Sequence, residues 1–478
     1  MSKSRNVNKV HSLVHRGISA EDHVVTLGHM HEDLKKAVAA DMPRLKVLLR
    51  ELVRLETVSA DGFDPARVRA GAEEIVDIVT DAGFQNAQLL ESSNGHPAIF
   101  AEIPPPDGAP TLLLYAHYDV QPPGPIEEWD TGPFDPHEKD GRMYGRGSSD
   151  DKSGVVMHLG AVAAHGDDLP VGVQLFLEGE EEAGSAGLPE ILDKYSDLLH
   201  PDVIVIGDGG NWEVGVPALL TSLRGLAAVK IEVRTLRSAV HSGLFGGLVP
   251  DALMAMSRLL ASLHDDRGNV AVKGLVSEEI EQSLEFPEEL AASQTGKVSG
   301  VEFIGDGSIA SRLWTRPAIS IVALDAPPVA EAINQLVPVA RAKVSMRIPP
   351  GQDSAEALEA LKSHLEANVP WGAELVFIYE ESGEATTLDT DNWAVDAWKE
   401  AFREAYETET VEMGVGGSIP FIATFEELFP DSPILVLGAG DPTSAIHAPN
   451  ESQDIGDLER ATLSEAIAFR LLAERSGA

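Results

Sequence analysis

Apolar residues recur at helical spacing over 29–56, with Leu34, Val38, Leu45, Leu48, Leu49 and Leu52 on or near one face. That pattern predicts an amphipathic helix, which Pro43 is expected to break or restart. A second helix is predicted over 66–83, ended by Gly83. Short, nearly continuous apolar runs follow at 98–103, 111–116, 171–177 and 203–206, with a helix over 153–165 between two of them. Such strands, alternating with helices, are expected in a mixed, mostly parallel sheet buried on both faces.

The pattern changes near Ser222. Ala227, Val229, Ile231 and Val233 alternate with Ala228, Lys230 and Glu232, which predicts a half-buried strand. A helix over 250–263, strands at 319–323, 342–348 and 374–379, and a helix at 354–367 complete a split βαβ order. Residues 265–315 are polar and irregular. A helix at 393–407 and a strand at 433–437 return to the first pattern. The expected fold is therefore an α/β domain, its sheet covered by helices, with an inserted α+β domain. The first domain comprises 1–221 and 388–478, and the insert 222–387.

A chain of 478 residues is long for one core and suits two domains. Acids number 77 against 36 bases, a formal charge of −41. That excess argues against nucleic acid or an anionic membrane surface as partner. Solubility explains it, and salt adaptation would need other support. There is no cysteine, which excludes disulfides and thiol catalysis and fits a cytoplasmic protein. No apolar run reaches the roughly 18 residues of a membrane span. The first 20 residues carry Lys3, Arg5, Lys9 and Arg16 but no acid and no secretory-type apolar stretch. Residues 1–25 are expected to form a flexible or packed arm.

Five segments each close a predicted strand with side chains that bind metals. The first, 115–119, holds His117 and Asp119. Residues two apart in an extended segment face the same way, so Asp119 is placed to orient the imidazole. The second, 145–151, brings glycines and then Asp150, a carboxylate able to bridge two metals. The third, 178–182, sets four carboxylates in five residues, enough for one ligand and one free general base. The last two are Asp208, after 203–206, and His447, after 433–437. Singly, these read as a surface His-x-Asp, an acidic turn, a solvated acidic face and two structural loops. Gathered at the carboxyl ends of strands in one sheet, they read as a site. Imidazole with carboxylate suits zinc, manganese or cobalt.

These segments resemble the co-catalytic zinc peptidases, which include carnosinase-like dipeptidases, aminoacylases and succinyl-diaminopimelate desuccinylase. The resemblance runs in order from about residue 40, through 116–122, 145–152, 178–185 and 417–420, and is nearest to the dipeptidase branch. It implies two divalent metal ions, zinc foremost, with Asp150 bridging them. His117 and Asp208 would complete one metal site, and Glu182 and His447 the other. Glu181 would be the general base and Asp119 would orient His117. The Asp150–Asp151 peptide would be cis. The insert would be a lid and dimerisation domain, and the protein a homodimer. His241 would reach a second subunit's site and stabilise the oxyanion. Arg347 would bind the substrate carboxylate through two parallel hydrogen bonds, with Asn334 assisting. Ser418 would line the pocket.

One position departs from the pattern. Many dipeptidases of this branch carry an acid two residues before Gly417, where this chain has Val415. An acid there could hold a substrate ammonium group, and valine cannot. The expected reaction is hydrolysis of dipeptides or similar small-molecule substrates with a free C-terminal carboxylate. Deacylation or desuccinylation of N-acyl amino acids is the alternative. A non-catalytic protein of this fold would normally lack a ligand or the base, and none is missing. A nucleotide site would need a third glycine, which 145–150 lacks.

Overall fold

The computed structural model describes residues 31–280, 286–417 and 421–476. The arm expected over 1–25 and the pocket position Ser418 lie outside the described residues.

Helix α1 (Glu32–Arg54) buries Leu34, Val38, Leu45, Leu49 and Leu52. It runs unbroken through Pro43, which corrects the expected interruption. Pro43 is exposed, and the carbonyl left without a partner belongs to exposed Ala39, where water can serve it. Helix α2 (Pro65–Asp81) opens on a proline, with the Asp64 carboxylate capping the Ala66 N–H.

Strands β1 (Gln85–Leu90), β2 (Ala98–Ile103) and β3 (Thr111–His117) precede α3 (Lys152–His165). After it come β4 (Gly172–Glu178), β5 (Val203–Ile206) and β6 (Ala218–Leu223). The insert contributes β7 (Gly225–Arg234), α4 (Ala252–Ala261), β8 (Ala318–Asp325), β9 (Val339–Ile348), α5 (Ser354–Asn368) and β10 (Glu374–Gly383). The chain then forms α6 (Trp393–Tyr406), β11 (Val411–Val415), α7 (Ile422–Leu428), β12 (Ile434–Val436) and α8 (Ile455–Ser476).

The larger sheet has the order β1-β2-β4-β3-β5-β12. Its four strands from β4 to β12 are parallel, and β1 and β2 form an antiparallel edge. Side chains alternate through it. Leu112, Leu114, Val203 and Val205 enter a core shared with α1, α3, α6 and α8. Leu113, Tyr115, Ile204 and Ile206 enter the opposite core with Phe421, Ile422 and Phe425. Burial on both faces is why these strands read as unbroken apolar runs.

The second sheet, β8-β9-β7-β10, is antiparallel throughout. Helices α4 and α5 cover one face, over Val229, Ile231, Val344 and Met346. This is the split βαβ arrangement, with β8 at an edge. Strand β6 pairs with β11, and Arg224 by itself separates β6 from β7. Strands β6 and β11 belong to a separate three-stranded sheet, which is thus joined to the second sheet through one residue.

Candidate metal centre

Four of the five segments leave the carboxyl ends of parallel strands. His117 ends β3, Glu181 and Glu182 follow β4, Asp208 follows β5, and His447 lies in the loop after β12. The fifth corrects the expectation of one common sheet. Asp150 follows a short strand, Arg142–Tyr144, that pairs with His137–Lys139 and Ser452–Asp454 in a separate sheet.

The fold nevertheless brings all five segments together. His117 Nε2 lies 3.0 Å from Asp150 Oδ1 and 4.0 Å from Asp208 Oδ1. His447 Nε2 lies 2.9 Å from Asp150 Oδ2 and 3.2 Å from Glu182 Oε2. Asp150 therefore turns one oxygen to each imidazole. Two ligands of one tetrahedral zinc stand about 3.4 Å apart, so these separations fit a cation on each side of Asp150. Ligand atoms of His117, Asp151 and Asp208 also lie within 4.8 Å of one another. The Asp151 carboxylate, however, is buried and accepts the N–H of His117 and of Gly154, capping α3. The Asp150–Asp151 peptide is cis.

Charge in the cluster supports the same fit. Burial opposes a charged His117, but hydrogen bonds to Asp119 and Asp150 outweigh it and raise its pKa well above the ordinary value. Hydrogen bonds to Asp150 and Glu182 raise His447 to about 10. Burial pushes Asp208 far up, and it pushes Glu181 to about 8 with help from neighbouring carboxylates. Acids crowded like this need positive charge, which divalent cations supply.

The supporting contacts explain how the candidate ligands are held. The Asp119 carboxylate accepts Ser59 Oγ–H at 2.6 Å, the Glu181 N–H at 3.2 Å and the Glu182 N–H at 3.0 Å. His117 Nδ1 meets the Asp119 main-chain oxygen at 3.1 Å and its carboxylate at 3.4 Å. Asp119 thus steadies the imidazole and, with its carboxylate, the turn bearing both glutamates. The other acids of the run point elsewhere. Glu178 is buried against the Tyr115 hydroxyl, and Glu180 accepts the Gly187 N–H. Lys152 Nζ donates to the Leu52 and Leu55 carbonyls, tying the Asp150 loop to the end of α1.

Two further residues escaped the reading of the sequence. Glu451 is fully buried, pairs with Arg146 at 2.6 Å, and accepts the N–H groups of Gly147, Ser149 and Asp150. Gln121 Nε2 donates to Glu182 Oε2 at 2.7 Å. For Glu451 the available signal was an acid standing in the otherwise acid-free run 442–453. The His447 loop is also strained, with Ala445, His447 and Asn450 at φ of 53°, 62° and 63°.

A cavity over the cluster is lined by Asp150, Glu181, Asp208, Val415, Ile446 and His447. The Glu181 carboxylate makes no hydrogen bond or ion pair among the described residues. His241, Asn334 and Arg347 of the insert are not among the residues lining this cavity. His241 is exposed, its Nδ1 accepting the Gly243 N–H, and exposed Asn334 receives the Ser242 N–H on its carbonyl. Arg347 is half-buried on β9.

Paired imidazoles and carboxylates around a shared aspartate, beyond a mostly parallel sheet, define a metal-dependent hydrolase. The chain belongs to peptidase family M20/M25/M40, whose model matches residues 113–466. It is 36% identical over 370 residues to a cysteinylglycine-S-conjugate dipeptidase of Corynebacterium striatum, covering 76% of this chain and 81% of that one. It is 28% identical over 456 residues to a Beta-Ala-His dipeptidase of Homo sapiens, covering 88% and 87%. Among solved structures it resembles the dipeptidase Dug1p of Saccharomyces cerevisiae, with a TM-score of 0.82 and 25% identity over 94% of this chain and 99% of that one. The chain is accordingly a metallopeptidase. No helix of the described residues is long and apolar enough to cross a membrane.

Proposed function

We propose that this protein is a dipeptidase that hydrolyses the amide bond of short substrates with a free C-terminal carboxylate. The observation that carries this reading is Asp150, one oxygen toward each imidazole, beside a Glu181 carboxylate that no hydrogen bond or ion pair engages among the described residues. His117, Asp150 and Asp208 would hold one divalent cation, and Asp150, Glu182 and His447 the other. Zinc is the proposed metal, and manganese and cobalt suit the same donors. When bound, such cations supply a water acidified toward neutrality and positive charge for the developing oxyanion.

Glu181, its proton affinity raised by burial, takes the proton of the attacking water and returns it to the leaving amine. Asp119 fixes the Glu181–Glu182 turn while this happens. Arg347 anchors the substrate carboxylate, and Asn334 assists from the insert. The insert over 222–387 acts as a lid and joins two copies of the chain. His241, exposed and distant in role from its own cluster, then serves the site of the second copy. The edge strand β8 supports that dimer, because Ile321, Val322 and Leu324 are 41%, 55% and 48% exposed there. A cytoplasmic location belongs to the same reading.

The dipeptidase names of the relatives favour dipeptides over N-acyl amino acids. The test is amino acid release from a panel of both, by metal-stripped enzyme before and after zinc or manganese is restored. Metal-dependent cleavage of dipeptides is expected. Cleavage of N-acyl amino acids alone would move the assignment to a deacylase. Cleavage of neither, with metal bound, would overturn the proposal.

A further inference from the structure

Arg224, the residue between β6 and β7, is 7% exposed. Among the described residues its buried Nε has no hydrogen-bond partner, and Nη1 lies 3.4 and 3.5 Å from the Arg312 and Arg316 carbonyls. Among the described residues no carboxylate pairs with it. Burial, and then the nearby Arg347 guanidinium, lower its pKa to about 10. A buried cation without a counter-ion, next to a second cation, is costly to keep. Folds retain such an arrangement where an anion arrives to complete it.

The register places the two arginines together. Arg347 lies opposite Leu226, and Ile348 opposite Gly225. Strand alternation then sets Arg224 diagonal to Arg347, on the sheet face away from α4 and α5. A Cβ on Gly416 would come within 2.6 Å of Arg224 Nη2, so the guanidinium rests on the backbone there. The next residue, Gly417, lines the cavity that contains Asp150, Glu181 and His447. The Arg224 N–H also donates to the Val415 carbonyl at 3.2 Å, in the same segment.

We propose that Arg224 is a specificity-determining residue that forms, with Arg347, a two-guanidinium site selecting substrates by their terminal carboxylate. This rests on the proposed hydrolysis of substrates with a free C-terminus. A carboxylate seated there satisfies the unpartnered Nε and relieves the repulsion between the two cations. Glycine at 416 is what lets the guanidinium lie against that loop.

The test compares a dipeptide with its C-terminal amide, using metal-loaded parent enzyme, Arg224→Lys, Arg224→Met and Gly416→Ala. For the free acid, KM rises about tenfold or more while kcat changes little, the scale of one charge-assisted hydrogen bond. The amide is unaffected, and Arg224→Lys recovers only part of the preference. Gly416→Ala keeps the charge but displaces the guanidinium, so it gives the same shift even if Arg224→Met fails to fold. Calorimetric binding of a dipeptide with a reduced –CH2–NH– linkage, and of its amide, follows the same order without turnover. Equal losses for acid and amide, or an unchanged ratio in Gly416→Ala, overturn the proposal. If the parent binds the acid in preference to the amide yet cleaves neither, the anion site stands and the dipeptidase reading falls.

Discussion

The Glu182 N–H donates to Asp119 Oδ2 at 3.0 Å, and the Glu181 N–H donates to Oδ1 of the same carboxylate. One buried side chain thus sets where both glutamates stand. Asp119→Asn keeps the shape but replaces one acceptor oxygen with a donor, against two N–H groups and a serine hydroxyl. Activity or metal affinity should fall about 10- to 100-fold. Rates near the parent's would show that the turn holds itself.

Glu181→Gln removes the unengaged carboxylate without removing a proposed ligand. Turnover should fall by about 10²–10⁴-fold, while metal content, read by elemental analysis of the purified protein, stays at two per chain. Retention of most of the rate would assign the base elsewhere.

Glu451 and Arg146 form a buried pair, and Glu451 also holds three N–H groups of the Asp150 loop. Glu451→Ala leaves a buried guanidinium uncompensated and should cost about 3–5 kcal/mol, visible as a large drop in Tm. Replacing both partners with methionine should cost less, because no charge is stranded. A double variant as unstable as the single one would contradict this account.

The two imidazoles bind protons more tightly than ordinary histidines, His447 up to about 10. At neutral pH the metal-free cluster is therefore protonated there, and a cation must displace those protons. Metal affinity should rise with pH until it passes the His447 value, with protons released to buffer. Calorimetry in buffers of different ionisation enthalpy reads that release. Affinity independent of pH from about pH 6 to about pH 9 would be inconsistent with histidine ligation. Chelation of the metal should lower Tm, and added zinc should restore it.

Val415 lines the cavity over the cluster. Val415→Glu places a carboxylate where a substrate ammonium could meet it. The ratio of dipeptide to N-acyl amino acid cleavage should rise about tenfold, the scale of one charge-assisted hydrogen bond. An unchanged ratio would show that the ammonium group lies elsewhere.

Much of the scaffold was legible in local pattern. The runs at 111–116 and 203–206 are strands because alternate side chains such as Leu113 and Leu114 serve two cores, and that double burial leaves no polar position in the run. His117, Asp208 and His447 could be singled out because metal-binding side chains at strand ends are chemically distinctive. Pro43 was misjudged because the cost of a proline depends on whether its orphaned carbonyl faces water, which no local window contains.

The sequence by itself determined the elements, the donor types and the carboxyl-end placement of most ligands, since these follow from short-range periodicity and side-chain chemistry. Only the tertiary structure decided that Asp150 arrives from a separate small sheet, that Glu178 and Glu180 turn away while the Glu181 carboxylate keeps no partner among the described residues, and that Glu451 holds the Asp150 loop. It also brought Arg224 beside Arg347 across 123 residues of chain. Those outcomes depend on register and on which buried charges find partners, and both are properties of contacts between segments far apart in sequence.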